Sequence, residues 1–228
     1  MRHPGTNGER RIDQLNAALS RLPDELARIP ELSSGGEILA VRFGVNDVKE
    51  YETVHLGTHP EGTETGFMPV NGASFATKLP GDGPTTPMGA GLNDVLRQIR
   101  TREDELRRAG FGLRYRTLVF LLTDGGPTDN YRSVLPQLRQ LEEEKRLLII
   151  ALGVHQADRR TLQRISPSGT LVLEGMSIAE AVRLVSVSAA ASISESSQSS
   201  DVLYKRINEA VDRRVAFMKR VKQHAESR

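Results

Sequence analysis

The chain has 228 residues, with 31 lysines and arginines against 29 aspartates and glutamates, a formal net charge of +2, and neither cysteine nor tryptophan. That length suits one α/β domain plus an appendage. The near-neutral balance gives no general attraction to nucleic acid or membrane, and the lack of cysteine excludes disulfides and thiolate metal sites. No apolar run reaches the roughly 20 residues of a membrane-spanning helix, and the opening MRHPGTNGERR has no signal-peptide core. Aromatic residues at 4% argue against base-stacking platforms. A cytoplasmic protein is expected, without a nucleic-acid or membrane partner.

Residues 12–29 place Ile12, Leu15, Leu19, Leu22, Leu26 and Ile29 at three-and-four spacing, which predicts an amphipathic helix that Pro23 kinks or divides. GEILAVRFG, residues 36–44, predicts a strand. VKEYETVHL, residues 48–56, alternates as a half-exposed edge strand. A loop rich in Gly, Thr and Pro is expected over residues 57–87. A helix from Met88 to about Arg108 carries Leu92, Val95, Leu96, Ile99 and Leu106 on one side.

TLVFLLT, residues 117–123, predicts a wholly buried strand, and LLIIALGV, residues 147–154, a second. Between them residues 131–145 read as a helix with EEEK as a solvated last turn. Asp158 is expected to cap a short helix ending near Ile165. GTLVLEG gives a last strand and residues 178–187 a last domain helix. SAAASISESSQSS, residues 188–200, reads as low-complexity linker, with phosphorylation an alternative role for its serines. Asp201 then caps a helix with the stripe Leu203, Ile207, Val211, Val215 and Met218. Eight Lys/Arg against four Asp/Glu in the last 28 residues make this a basic amphipathic tail, expected to dock on its own domain or a partner.

Three segments follow: an α/β domain over residues 1–190, a Ser-rich linker over 191–200 and the helical tail over 201–228. Strands alternating with helices predict a doubly wound, mostly parallel sheet with helices on both faces.

Two loops carry chemistry. In VFLLTDGGPTDN, residues 119–130, an apolar strand ends on Asp124, and Gly125 and Gly126 let the backbone turn sharply. Ligands bind at that carboxyl edge in open α/β sheets. GDGPTTPMGAGL, residues 81–92, delivers Thr85, Thr86 and Pro87 into a helix. A strand-end carboxylate and a loop hydroxyl suit a hard cation such as Mg²⁺. Asp129 is expected to cap the helix at Tyr131 or form an Asx turn. The five histidines are scattered without metal-ligand spacing.

Taken together and in this order, TTPMGAGL and LVFLLTDGGPTD resemble the von Willebrand factor A (vWA) domain. More narrowly they are similar to its TerY-like bacterial branch, with patterns GGTPLGxAL and hLLTDGxPTD. The likeness spans residue 10 to about residue 200. It implies a non-enzymatic protein-interaction adaptor with a Mg²⁺ site at the sheet edge, a metal-ion-dependent adhesion site completed by a partner's acidic side chain. It also implies a tellurium-resistance or stress-response setting with kinase or phosphatase partners. By position the metal ligands are Thr86, Asp124 and Thr6, and the partner contacts are Gly125, Gly126 and Thr85. The residue before the TP threonine is usually glycine in the family and is Thr85 here.

The same likeness implies a DxSxS motif after a central first strand. Counting back from the Ile12 helix, that motif falls on Arg2, His3, Pro4, Gly5 and Thr6. Only Thr6 and the preceding Gly5 fit, and Arg2 replaces a carboxylate, which lowers the expected metal affinity. The first strand itself is not in the sequence. Its neighbours then close up, or another segment fills the gap, or the sequence is incomplete at its start, the reading favoured here. The alternative function is a Mg-dependent nucleotide or phosphate hydrolase using residues 81–91 and Asp124. It lacks a P-loop Gly-Lys-Ser/Thr, and no lysine lies between Lys78 and Lys145.

Overall fold

A computed structural model describes residues 10–44, 53–56, 66–73, 75, 85–154, 157–173, 178–194 and 199–226. Pro23 divides the first amphipathic segment. Helix α1, Arg11–Leu19, ends at Ser20, and α2, Leu22–Leu26, restarts with the proline in its first turn, where the missing N–H costs nothing. Helix α3, Pro30–Gly35, uses the same device.

The predicted strand over residues 36–44 is broken into β1, Glu37–Ile38, and β2, Ala40–Phe43. Strand β3, Thr53–Leu56, pairs antiparallel with β2, and β4, Met68–Pro69, pairs antiparallel with β1. Helix α4, Met88–Arg108, follows, then β5, Thr117–Thr123. A 3₁₀ turn, Tyr131–Val134, leads into α5, Leu135–Glu143. Strand β6, Leu147–Val154, α6, Arg159–Ile165, β7, Thr170–Leu173, α7, Ile178–Ser194, and α8, Ser200–Glu226, complete the order.

Strands β5, β6 and β7 form a parallel sheet with β6 central, in register from Thr117 opposite Leu147 to Thr123 opposite Gly153. Its two faces feed two apolar clusters. Leu148, Ile150, Leu152 and Val154 pack with α1, α2, α7 and α8. Leu147, Ile149 and Ala151 pack with α4, the 3₁₀ turn, α5 and α6. Helices thus cover both faces, as the alternation of elements predicts.

Two expectations about burial need correction. Strand β5 is not wholly buried: Val119, Leu121 and Thr123 are buried while Thr117, Leu118, Phe120 and Leu122 are half-exposed. All eight residues of β6 are buried. The difference is physical, because β6 has a strand on each side and β5 has only β6 among the described residues. Nor is the EEEK turn wholly solvated. Glu142 is half-buried, pairs with Arg139 at 2.6 Å and accepts a hydrogen bond from the Tyr204 hydroxyl.

Helix α7 runs to Ser194, into the stretch read as linker, with Ser188 and Ser192 buried. Helix α8 packs on the same domain: Leu203, Ile207 and Val211 belong to the core cluster. Tyr204 reaches further. Strand β7 pairs with β6 only from Ala151 onward, and the Tyr204 hydroxyl takes over at Ile149, accepting from its N–H and lying 3.1 Å from its carbonyl. Ser166 donates to that carbonyl as well. Side chains therefore stand in for a strand that stops short.

Candidate functional site

The carboxyl end of β5 meets the N-terminus of α4. Thr123 ends the strand; its hydroxyl accepts from the Gly125 N–H at 3.2 Å and tightens the turn around Asp124. Thr86 arrives on the loop that opens α4. A β-carbon at Gly125 would lie 3.3 Å from the Thr86 hydroxyl, so the TP loop and the TDG turn are in contact. Asp124 and Thr86 are both half-buried.

Reciprocal hydrogen bonds fix that contact. The Thr86 N–H donates to the Thr128 hydroxyl at 3.0 Å, and the Thr128 N–H donates to the Thr86 carbonyl at 3.0 Å. Asp129 completes the clamp: its carboxylate accepts from the N–H groups of Gly89 at 2.9 Å and Ala90 at 2.8 Å. These are orphan donors of the α4 N-terminus, where a carboxylate is also favoured by the helix dipole. The expectation for Asp129 is thereby corrected, because it caps α4, some 40 residues away in sequence, and the 3₁₀ turn at Tyr131 has no side-chain cap. Gly89 is needed for this approach, since a β-carbon there would meet the Tyr131 α-carbon at 2.8 Å.

Strand β2 is tied to the same edge. Gly44, just past its end, has φ +80°, and a β-carbon would lie 2.4 Å from the Thr85 carbonyl oxygen, so only glycine fits. Thr85 is half-buried, and its hydroxyl is buried without a hydrogen-bond partner among the described residues. On the far side of the turn Gly126 is exposed, and a β-carbon there would lie 3.7 Å from that of Asp158. Asp158 caps α6 as predicted, accepting from the N–H groups of Arg160 and Thr161 and from the Thr161 hydroxyl. The Thr161 hydroxyl, and then its N–H, hold the Asp158 carboxyl below its ordinary range.

The structure thus brings Thr85, Thr86, Asp124, Gly125 and Gly126 to one edge. Thr6 lies outside the described residues, as do residues 81–84 of the loop assigned to the alternative hydrolase. Sequence reasoning missed the roles of Thr128, Gly44 and Asp129; the TD after the TDG turn was the available signal for two of them.

The donor chemistry, one hydroxyl and one carboxylate, both oxygen, fits a hard cation such as Mg²⁺. Among the described residues no group of three His, Cys, Asp or Glu could hold a metal ion.

Residues 73–184 match the family model of the von Willebrand factor type A domain. Over that stretch the chain is similar to that domain, and Thr85, Thr86, Asp124, Gly125 and Gly126 all lie inside it. Domains of this type commonly mediate protein–protein interaction. No match was found among curated proteins. Among the described residues, no helix is long and apolar enough to cross a membrane.

Proposed function

We propose that the protein is a non-enzymatic vWA-type adaptor that captures an acidic side chain of a protein partner at the carboxyl edge of its sheet. Thr86 and Asp124 hold Mg²⁺ there, with Thr6 as a further oxygen ligand, and Gly125, Gly126 and Thr85 form the rim. When bound, the ion supplies a positive charge that a partner carboxylate can complete. The chain's own part is orientation: the Thr128 and Asp129 hydrogen bonds keep the threonine loop pressed on the aspartate turn.

The observation that carries this reading is the contact between Thr86 and Gly125 at the strand end, inside the matched domain. The likeness to the TerY-like branch supports a cytoplasmic stress-response or tellurium-resistance setting, with a kinase or phosphatase among the partners.

Calorimetric titration of the full chain with Mg²⁺ tests it. Saturable binding that disappears in Asp124→Ala is expected. A flat trace for the unaltered chain overturns cation-mediated capture.

A further inference from the structure

Where the 3₁₀ turn meets α6, two buried hydroxyls come together with two exposed arginines. Tyr131 and Thr161 are buried, and their hydroxyl oxygens lie 3.5 Å apart. Arg132 follows Tyr131 in the turn, and Arg164 stands one helical turn beyond Thr161 on the same side of α6. Both arginines are exposed. Burial alone would raise the Tyr131 phenol, yet the Thr161 hydroxyl and then the Arg164 and Arg132 side chains bring it below its ordinary range. Two guanidiniums from different elements thus converge on one phenol oxygen.

The frame around them is fixed. Arg139 of α5 donates to the Ile165 carbonyl at 2.9 Å and to the Arg164 carbonyl, which pins the end of α6 to α5. The neighbouring acids are engaged by other donors. Asp129 accepts from the Gly89 and Ala90 N–H groups, Asp158 from the Arg160 N–H and the Thr161 hydroxyl, and Glu142 from Arg139. Among the described residues no carboxylate pairs with Arg132 or Arg164.

Two like charges brought to one neutral oxygen repel, and an anion between them removes that cost. Each guanidinium presents its N–H donors as a flat fork. A carboxylate has two oxygens in one plane and matches a single fork. A phosphoryl group offers three oxygens in different directions and a charge of about −2, which suits two forks that approach from different elements. We propose that Arg132 and Arg164, set around Tyr131 and Thr161, form a binding site for a phosphoryl oxyanion. The site is separate from the Thr86 and Asp124 edge and needs no cation.

Titration of the full chain, followed through its backbone amide resonances by NMR, tests the proposal. The probes are the capped peptide Gly-Gly-phosphoserine-Gly-Gly, the same peptide with glutamate in place of phosphoserine, and inorganic phosphate. The phosphopeptide is expected to shift Tyr131, Arg132, Thr161 and Arg164 saturably, and the glutamate peptide to leave them in place. Arg132→Gln and Arg164→Gln, both at exposed positions, are each expected to weaken phosphopeptide binding by about tenfold or more. Phosphate binding as tightly as the phosphopeptide makes a free oxyanion the ligand, and weaker binding makes it a phosphorylated side chain; either result upholds the site. No saturable shift with the phosphopeptide or phosphate overturns the proposal, as does equal binding of the glutamate peptide. An equal loss in Arg159→Gln, on the same helix but off the face of Thr161 and Arg164, also overturns it, because a diffuse positive field would then account for the binding.

Discussion

Asp129 does at a distance what its neighbours in sequence give no hint of. Its carboxylate sits on two N–H groups that open α4, and Thr128 beside it bonds the Thr86 backbone in both directions. The pair therefore sets where the Thr86 hydroxyl stands relative to Asp124. Replacing Asp129 by alanine leaves the Gly89 and Ala90 donors without that acceptor. A loss of about 1 kcal/mol in unfolding free energy is expected from the cap alone, read by urea denaturation. Weaker Mg²⁺ binding should accompany it although Asp129 is no ligand. Unchanged stability would mean that water replaces the carboxylate at no cost. The placement of Asp124 and Thr86 at one edge was legible because each stands in a short motif at an element boundary. The partner of Asp129 was not, because hydrogen bonds across 40 residues leave no local pattern.

Elements with their own periodicity were the easiest to read. Helix α4 has the bounds its apolar spacing predicts, and β6 is an apolar run buried on both faces. Strand β5 has the same composition and half-exposed alternate residues, because burial of a strand depends on its neighbours and its own sequence cannot report them. Tyr204 makes the same point. Its hydroxyl matters only because β7 stops before Ile149, a fact of pairing register.

Burial, and then the hydrogen bond to Glu142, push the Tyr204 phenol above its ordinary range. Since the folded value is raised, the unfolded chain loses its proton first. The stabilisation is complete below the unfolded tyrosine value of about 10 and fades as pH climbs above it. Tyr204→Phe keeps the ring and removes the hydroxyl. It is expected to cost about 1–3 kcal/mol, because the Ile149 N–H is left buried without its partner, and to flatten the loss of stability above about pH 10. Denaturant titrations at neutral and alkaline pH read both effects, and an unaltered alkaline slope would count against this role.

At the scale of the whole molecule, helices α4, α5 and α6 on one face and α1, α2, α7 and α8 on the other clamp the parallel sheet. Two regions of different character remain outside that packing. One is the carboxyl edge, where Gly44, Thr85, Thr86, Gly125 and Gly126 bring β2, α4 and β5 together. The other is a hollow beside α8 lined by Asp201, Glu209 and Asp212 together with Lys205 and Ser168, which offers more carboxylates and matches no motif. The hollow beside α8 carries more carboxylates, and the adaptor reading places the cation instead at Thr86 and Asp124.

Substoichiometric Mn²⁺, added in place of Mg²⁺ while the backbone amide resonances of the full chain are followed, decides between these two places. Paramagnetic broadening confined to Thr86, Asp124 and Gly125, and abolished by Asp124→Ala, is the expected result. Broadening centred on Asp201, Glu209 and Asp212, or none at the strand end, would contradict the adaptor reading.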